Sequence, residues 1–205
     1  MKYDQLADAK TLENVTKNLT NKEYEVFVVD TKQEALEKIK TLIPAAASVM
    51  NGASVTLEQI GFVEYLKSGA HDWNNLHLEI LAEKDRAKAS HLRKLATLSD
   101  YYLGSVHAMA ENGEFIIASN TGSQLPHIVF NSPNLIFVIG TQKIVPDLNE
   151  AMKRLEEYVL PLEDKHMKEK YGAGSMISKV VLFKQENAYM GRKVRIILVK
   201  EKLGF

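Results

Sequence analysis

The chain has 205 residues, of which 45% are hydrophobic and 25% charged, enough apolar material to fill the core of one large domain. Its 26 basic side chains cancel 26 acidic ones, so no whole-molecule field draws it to nucleic acid or to an anionic membrane surface. The lack of cysteine excludes disulfides, thiolate zinc sites, cysteine-ligated iron–sulfur clusters and cysteine nucleophiles.

From the start of the chain, the segment Met1–Gln5 lacks the apolar stretch of a signal peptide, and no apolar run approaches the ~20 residues that span a bilayer. A cytoplasmic location and no membrane partner are expected. Leu12, Val15 and Leu19 recur at helical spacing, so residues 1–20 read as an amphipathic helix packed on, or extending from, a single domain over 1–205. Glu25–Asp30 is β-branched and apolar, as a buried strand should be. Thr31 and Glu34 have capping-box spacing and open a helix that carries Leu36, Ile39 and Ile43 and stops at Pro44.

A small-residue strand over Ala46–Met50 leads into the loop Asn51-Gly52-Ala53-Ser54. Thr56 and Gln59 then have capping-box spacing for a helix with Leu57, Ile60 and Leu66 inward and Gly69 at its end. A further charged helix is expected over 83–98. Strands alternating with helices through short connections imply an α/β fold, a mainly parallel sheet flanked by helices.

The middle of the chain changes character. Tyr101–Gly104 reads as a strand, and Val106–Ala110 faces Phe115–Ala118 across Asn112-Gly113, a strong hairpin signal, so a β-hairpin is inserted into the α/β pattern. Leu135–Ile139 is another buried strand. Pro146 and Asp147 suit the first turn of a helix carrying Leu148, Met152, Leu155 and Val159. Residues 162–171 form a charged helix or connector, and Ile177–Phe183 and Val194–Val199 are expected to pair as a final hairpin.

Three segments offer ligand chemistry. Asn51, Gly52, Ala53, Ser54 and Thr56 lie between a strand and a helix, where glycine lets backbone approach a ligand and a helix N-terminus favours an anion. An ordinary helix cap explains the same residues. Gly104 and Ser105, with Asn120, Thr121, Gly122 and Ser123, place small and polar residues at both ends of the hairpin, either as donors to a ligand or as plain turn chemistry. Lys143, in Gly140-Thr141-Gln142-Lys143, brings a positive charge to a strand end, although most lysines are simply solvated. No Gly-Lys-Ser/Thr loop or GxGxxG fingerprint is present.

Six histidines are scattered without metal-ligand spacing, and no metal site is expected. His107 stands in a candidate cluster as a general acid or base, or as a hydrogen-bonded strand residue. Glu58, just after the first loop, is a candidate base or a complement to the helix dipole.

Several of these segments resemble the lactate-utilisation (LUD) family of the LutC/YkgG-like type. Gly104-Ser105-Val106-His107-Ala108-Met109-Ala110-Glu111-Asn112-Gly113 is similar to its G-S-x-x-A-[IM]-x-x-x-G segment, and Asn51–Glu58 to its G-[GA]-S-x-T-L-x-E loop. Asn120–Ser123, Phe137–Leu148 and Val194–Phe205 continue the likeness in order. The resemblance implies the ribose-phosphate isomerase and CoA-transferase-like (NagB/RpiA/CoA transferase-like) fold. It further implies an association with bacterial lactate oxidation beside separate iron–sulfur subunits. The cysteine-rich stretch that some relatives carry before the last strand has no counterpart in Lys170–Met176, so no iron–sulfur cluster is expected in this chain.

The leading expectation is thus a subunit that binds a small anionic metabolite (carboxylate, phosphate ester or CoA-like) at strand-end loops. Its cofactor is unknown, and a homo-oligomer is among the possible assemblies. A freestanding sugar-phosphate isomerase using Glu58, or a non-catalytic assembly module, are the alternatives.

Overall fold

Leu135, Phe137 and Ile139 point to one side of their strand and Ile136 and Val138 to the other, and all five are fully buried. A strand apolar on both faces needs a packed layer on each side. The computed structural model, which describes residues 2–205 (at Ala188 the backbone alone), supplies those layers.

In chain order the first elements are α1 (Ala9–Asn21), β1 (Glu25–Val29), α2 (Lys32–Leu42), β2 (Ser48–Asn51), α3 (Val55–Gln59), α4 (Phe62–Ser68), β3 (Asn74–Asn75), α5 (Leu76–Ala82) and α6 (Arg86–Leu95). There follow β4 (Tyr101–Gly104), β5 (Ala108–Ala110), β6 (Phe115–Ser119), β7 (Asn134–Gly140), β8 (Ile144–Val145), α7 (Leu148–Arg154), α8 (Leu160–Tyr171), β9 (Lys179–Phe183) and β10 (Lys193–Val199). Six strands form a sheet in the order β1-β10-β7-β4-β2-β3, parallel throughout. This is the mainly parallel α/β architecture that the alternation predicts.

The hairpin is more than an insertion. Its strands β5 and β6 are the centre of a second, mixed sheet in the order β8-β5-β6-β9. One core lies between the two sheets and includes Leu12, Val15 and Leu19 of α1 with Phe115, Phe137 and Ile196. A second lies under α2 and α4, with Ile39, Phe62, Val138 and Ile197. A third joins the outer face of the small sheet to α7, through Ala108, Ile116, Ala151 and Leu155. At ~1.5–3 kcal/mol per large apolar side chain, these cores supply most of the drive to fold.

Several local expectations are corrected. The first helix starts at Ala9, because Asp8 caps it by accepting the Thr11 N–H at 2.8 Å. The chain before it crosses to α7, where the Tyr3 hydroxyl donates to Glu150 at 2.6 Å. The first residue of the expected helix lies outside the described residues. β1 is an edge strand rather than a buried one, with no fully buried side chain. The helix expected to run from Thr56 to Gly69 is two helices, α3 and α4, separated where Gly61 turns left-handed at φ 79°. The cap of α3 is Ser54, not Thr56. The charged helix spans Arg86–Leu95, and α5 before it was unforeseen.

The final hairpin does not form. β10 lies between β1 and β7, since Val194, Ile196 and Leu198 feed one core and Ile197 and Val199 another. β9, whose Val180 and Leu182 remain exposed, instead edges the small sheet, with Phe183 stacked 4.9 Å from Phe115.

Candidate functional site

In a parallel sheet all strands deliver their following loops to one end, and there the chain has spare backbone groups and room for ligands. Here the loops after β2, β4 and β7, the turn after β6 and the chain after β10 enclose a cleft of about 300 Å³. Its lining includes Gly52, Ala53, Ser54, Thr56, Gly104, Ser105, His107, Asn120, Thr121, Ser123 and Lys143. All three sequence segments with ligand chemistry therefore meet in one hollow.

Three candidates fall outside this lining. Asn51 is buried beneath it, its amide donating to the Gly52 carbonyl at 3.1 Å. Gly122 serves the turn, with φ 85° and its N–H given to Ser119 Oγ at 2.9 Å. Glu58 turns away to the surface, 3.1 Å from Lys170 Nζ. That removes the geometric basis for a Glu58 base acting in the cleft.

The floor is built around Lys143, which is 4% exposed. Its ammonium donates to Thr56 Oγ1 at 3.0 Å, Ser105 Oγ at 3.1 Å and the Val106 carbonyl at 3.2 Å. Among the described residues no carboxylate comes within ion-pair distance of it. Burial, and next the charge of Arg154, pull its pKa down from the ordinary lysine value to about 7. Of the two readings that the sequence leaves for this lysine, a charge at the strand end and a solvated side chain, the structure gives a buried side chain at the strand end. It is also the one Lys or Arg among the lining residues, and Glu163 is the one acid.

Two glycines let the chain close in. A Cβ at Gly204 would sit 3.0 Å from Lys143 Nζ and closer still to Thr56 Oγ1, and its φ of 66° suits glycine. A Cβ at Gly52 would strike the Tyr102 hydroxyl and approach Gln124 Oε1 to 2.9 Å. Gln124 accepts from that same hydroxyl at 3.3 Å and donates to the Ala118 carbonyl at 3.1 Å, tying the large sheet to the small one beside the cleft.

His107 Nδ1 accepts the Ala118 N–H at 3.1 Å, which leaves Nε2 to carry the ring's single proton. Burial first, then the charges of Lys143 and Arg154, bring its pKa down to about 3. With its pKa lowered in this way the ring is an uncharged Nε2–H donor near neutral pH. The 119–123 turn uses part of its own polarity: Thr121 Oγ1 donates to Ser123 Oγ at 3.1 Å. α3, only five residues long, brings little of the helix dipole that the loop pattern suggests.

A family model for the LUD domain matches residues 12–199. The chain belongs to the LUD domain family. The crystal structure of a DUF162 family protein from Deinococcus radiodurans is similar at 13% identity and TM-score 0.54, covering 95% of this chain and 99% of that one. At that identity the likeness speaks for the fold alone. Among proteins of curated function none matches the sequence.

This LUD domain also has a cleft wall that the sequence did not announce. Leu155, Val159 and Leu160 at the junction of α7 and α8, Met167 of α8, and Met176 and Ile177 beyond it present a largely apolar surface. The chain stays helical through this junction by a wide π turn over Leu155–Val159, next to Pro161, which has no N–H to give. Gly204, close against the floor, and Phe205 also line the cleft. The rule that ligands gather beyond strand ends would have flagged these two; nothing local flags the wall. Among the described residues no group of three His, Asp or Glu is placed to hold a metal ion, and no helix is long and apolar enough to cross a membrane.

Proposed function

We propose that this LUD domain binds a small organic anion in the cleft, with the negative end toward Lys143 and Ser105 and the carbon skeleton along the apolar wall. One observation carries the reading: Lys143 is a buried cation, satisfied in hydrogen bonds yet without a counter-charge, and it lies at the floor of an open cleft. A buried charge is costly unless it is paired. An anionic ligand supplies the missing partner and has most to gain there. A carboxylate, a phosphate ester or the phosphate arm of a CoA-like molecule meets the requirement.

Family membership makes lactate utilisation the natural setting for that ligand. These 205 residues hold no cysteine, so a cysteine-held iron–sulfur cluster serving such a role lies outside them. The isomerase alternative loses support because its proposed base, Glu58, pairs with Lys170 away from the cleft.

A thermal-shift panel of lactate, pyruvate, phosphate esters, nucleotides and CoA tests the reading. A ligand at 100 times its Kd stabilises the folded state by about 2.7 kcal/mol, an effect of several degrees. Stabilisation by one class of anion, lost in Lys143→Met, is the expected result. A panel without any stabilising anion, or a shift that survives Lys143→Met, rejects it.

A further inference from the structure

We propose that the ε-amine of Lys143 condenses with the carbonyl carbon of a small 2-oxo acid held in the cleft, forming an imine. The inference rests on the reading that the cleft takes an organic anion, and it names the reactive group and the substrate class.

The first support is placement. Lys143 lines the cleft from its floor, where Thr56 Oγ1, Ser105 Oγ and the Val106 carbonyl fix its nitrogen within 3.0–3.2 Å. No carboxylate ties that nitrogen up as an ion pair, unlike Lys168 with Asp164 or Lys200 with Asp30 on the surface. Ser105 Oγ is the right neighbour for an amine that must lose and regain protons, because it can both accept and donate, whereas the Thr56 hydroxyl already donates to the Leu203 carbonyl at 3.4 Å. Ser105 bonds only to Lys143 among the described residues, so its O–H remains available to a ligand oxygen.

The environment favours the free amine. Burial lowers the affinity of this nitrogen for its third proton, giving a pKa of about 7, as desolvation does for lysines that attack carbonyls. Near neutral pH roughly a thousandfold more of it is unprotonated than of a solvated lysine. His107, neutral and protonated on Nε2, contributes an N–H for the carbonyl or carboxylate oxygen.

The substrate class follows from spacing. The anion's partner Ser105 lies 3.1 Å from the nucleophile, so the negative oxygens and the reactive carbon must be neighbours in the ligand. A carbonyl adjacent to a carboxylate satisfies this; a carbonyl at the far end of a chain does not. In the step itself, the nitrogen lone pair forms the C–N bond while the C=O π pair moves to oxygen. That oxygen takes a proton, giving a carbinolamine, and the nitrogen loses one. Loss of water with a second proton shift then leaves C=N, so one amine and one ketone give one imine and one water, with no redox change.

The full chain is incubated with pyruvate at neutral pH, treated with sodium borohydride and analysed by intact mass and peptide mapping. One reduced adduct per chain on Lys143 is expected, at least about tenfold above any surface lysine given the difference in free amine. Lactate, which has the carboxylate but no carbonyl, should leave the mass unchanged yet protect Lys143 when added first. This competition works on the unmodified chain, so the result does not depend on Lys143→Met folding. Adducts spread over surface lysines, or undiminished in Lys143→Met, overturn the proposal. Thermal stabilisation by pyruvate and lactate with no adduct overturns it while leaving the anion site standing. Neither stabilisation nor adduct removes both readings.

Discussion

Two buried basic side chains, Lys143 and Arg154, act on His107, and the protein treats them in opposite ways. Arg154, 0% exposed, donates one N–H to the His107 carbonyl and lies over the rings of Tyr3 and Tyr158, 5.9 and 5.2 Å away. Those rings are in turn hydrogen-bonded to Glu150 and Asp4. Burial lowers the Arg154 pKa to about 10, a fall that Tyr158, Tyr3 and Asp4 partly offset, so it stays charged. Lys143 has hydroxyls and a carbonyl, with no tyrosine or carboxylate acting to raise its pKa, which falls to about 7. Two sites with the same nominal charge thus differ in what lies one layer further out. Arg154 is locked into the third core; Lys143 faces a cleft and depends on what enters it.

The comparison breaks most readily at Arg154. Arg154→Ala should cost about 3–5 kcal/mol, because it leaves a cavity between two tyrosines and strips a buried carbonyl of its donor. Urea unfolding measures this through its midpoint. A loss under about 1 kcal/mol would mean that the cation is not the keystone of its layer.

Gly204→Ala comes next. The added methyl needs a left-handed φ of 66° and meets Thr56 Oγ1 and Lys143 Nζ, a strain of about 1–3 kcal/mol. It should also abolish the thermal response to anions, because it intrudes on the floor itself. A variant that unfolds earlier yet keeps the full anion response would place the ligand elsewhere in the cleft.

The pH dependence of stability tests the difference between the cations directly. Folded Lys143 holds its proton less tightly than the unfolded chain does, with a pKa of about 7 against 10.5. Between those values the unfolded state carries more protons, so stability rises with pH across that window and is flat in this term below it. Lys143→Met should erase the rise. His107 and His127, lowered to about 3 and 4, also give rises, but these end by 6.5. Arg154 and the raised Tyr24 and Tyr102 act only from about pH 10 upward, so the stretch between about 7 and 10 reads Lys143. Equal slopes in both proteins would show that the lysine stays protonated when folded.

Much of this arrangement was legible in the residues. Strand-type alternation on both faces of Leu135–Ile139, the Asn112-Gly113 turn and the strand-end loops at Gly52, Ser105 and Lys143 are local signals, and they carry the parallel sheet and the cleft floor. What escaped is non-local. Whether β9 joins β10 or β6 depends on which surface is left to cover Val181 and Phe183, and no spacing within the chain records that. The apolar wall joins Leu155 and Val159, apolar positions of one helix, to Met167 of a segment read as charged and to Met176 and Ile177 beyond it, and no spacing within the chain shows that these meet. The burial of Lys143 escaped for the same reason, although its place at a strand end was legible. A lysine's sequence neighbours do not reveal that Gly204, 61 positions later, will close over it.

Glu58 supplies the smallest effect and a control for the whole comparison. It is the acid closest in sequence to the floor, two residues from Thr56, yet its carboxylate is solvated and pairs with Lys170. Exposed ion pairs contribute about 0.2–1 kcal/mol, since water competes for both partners and salt screens them. Glu58→Gln should therefore shift the unfolding midpoint by no more than that and leave both the anion response and the alkaline rise intact. If instead it weakened anion-induced stabilisation as strongly as Lys143→Met, the counter-charge to Lys143 would be reaching it across α3. Lys143 would then differ from Arg154 only in the distance to its carboxylates, and the cleft would lose its claim to the missing charge.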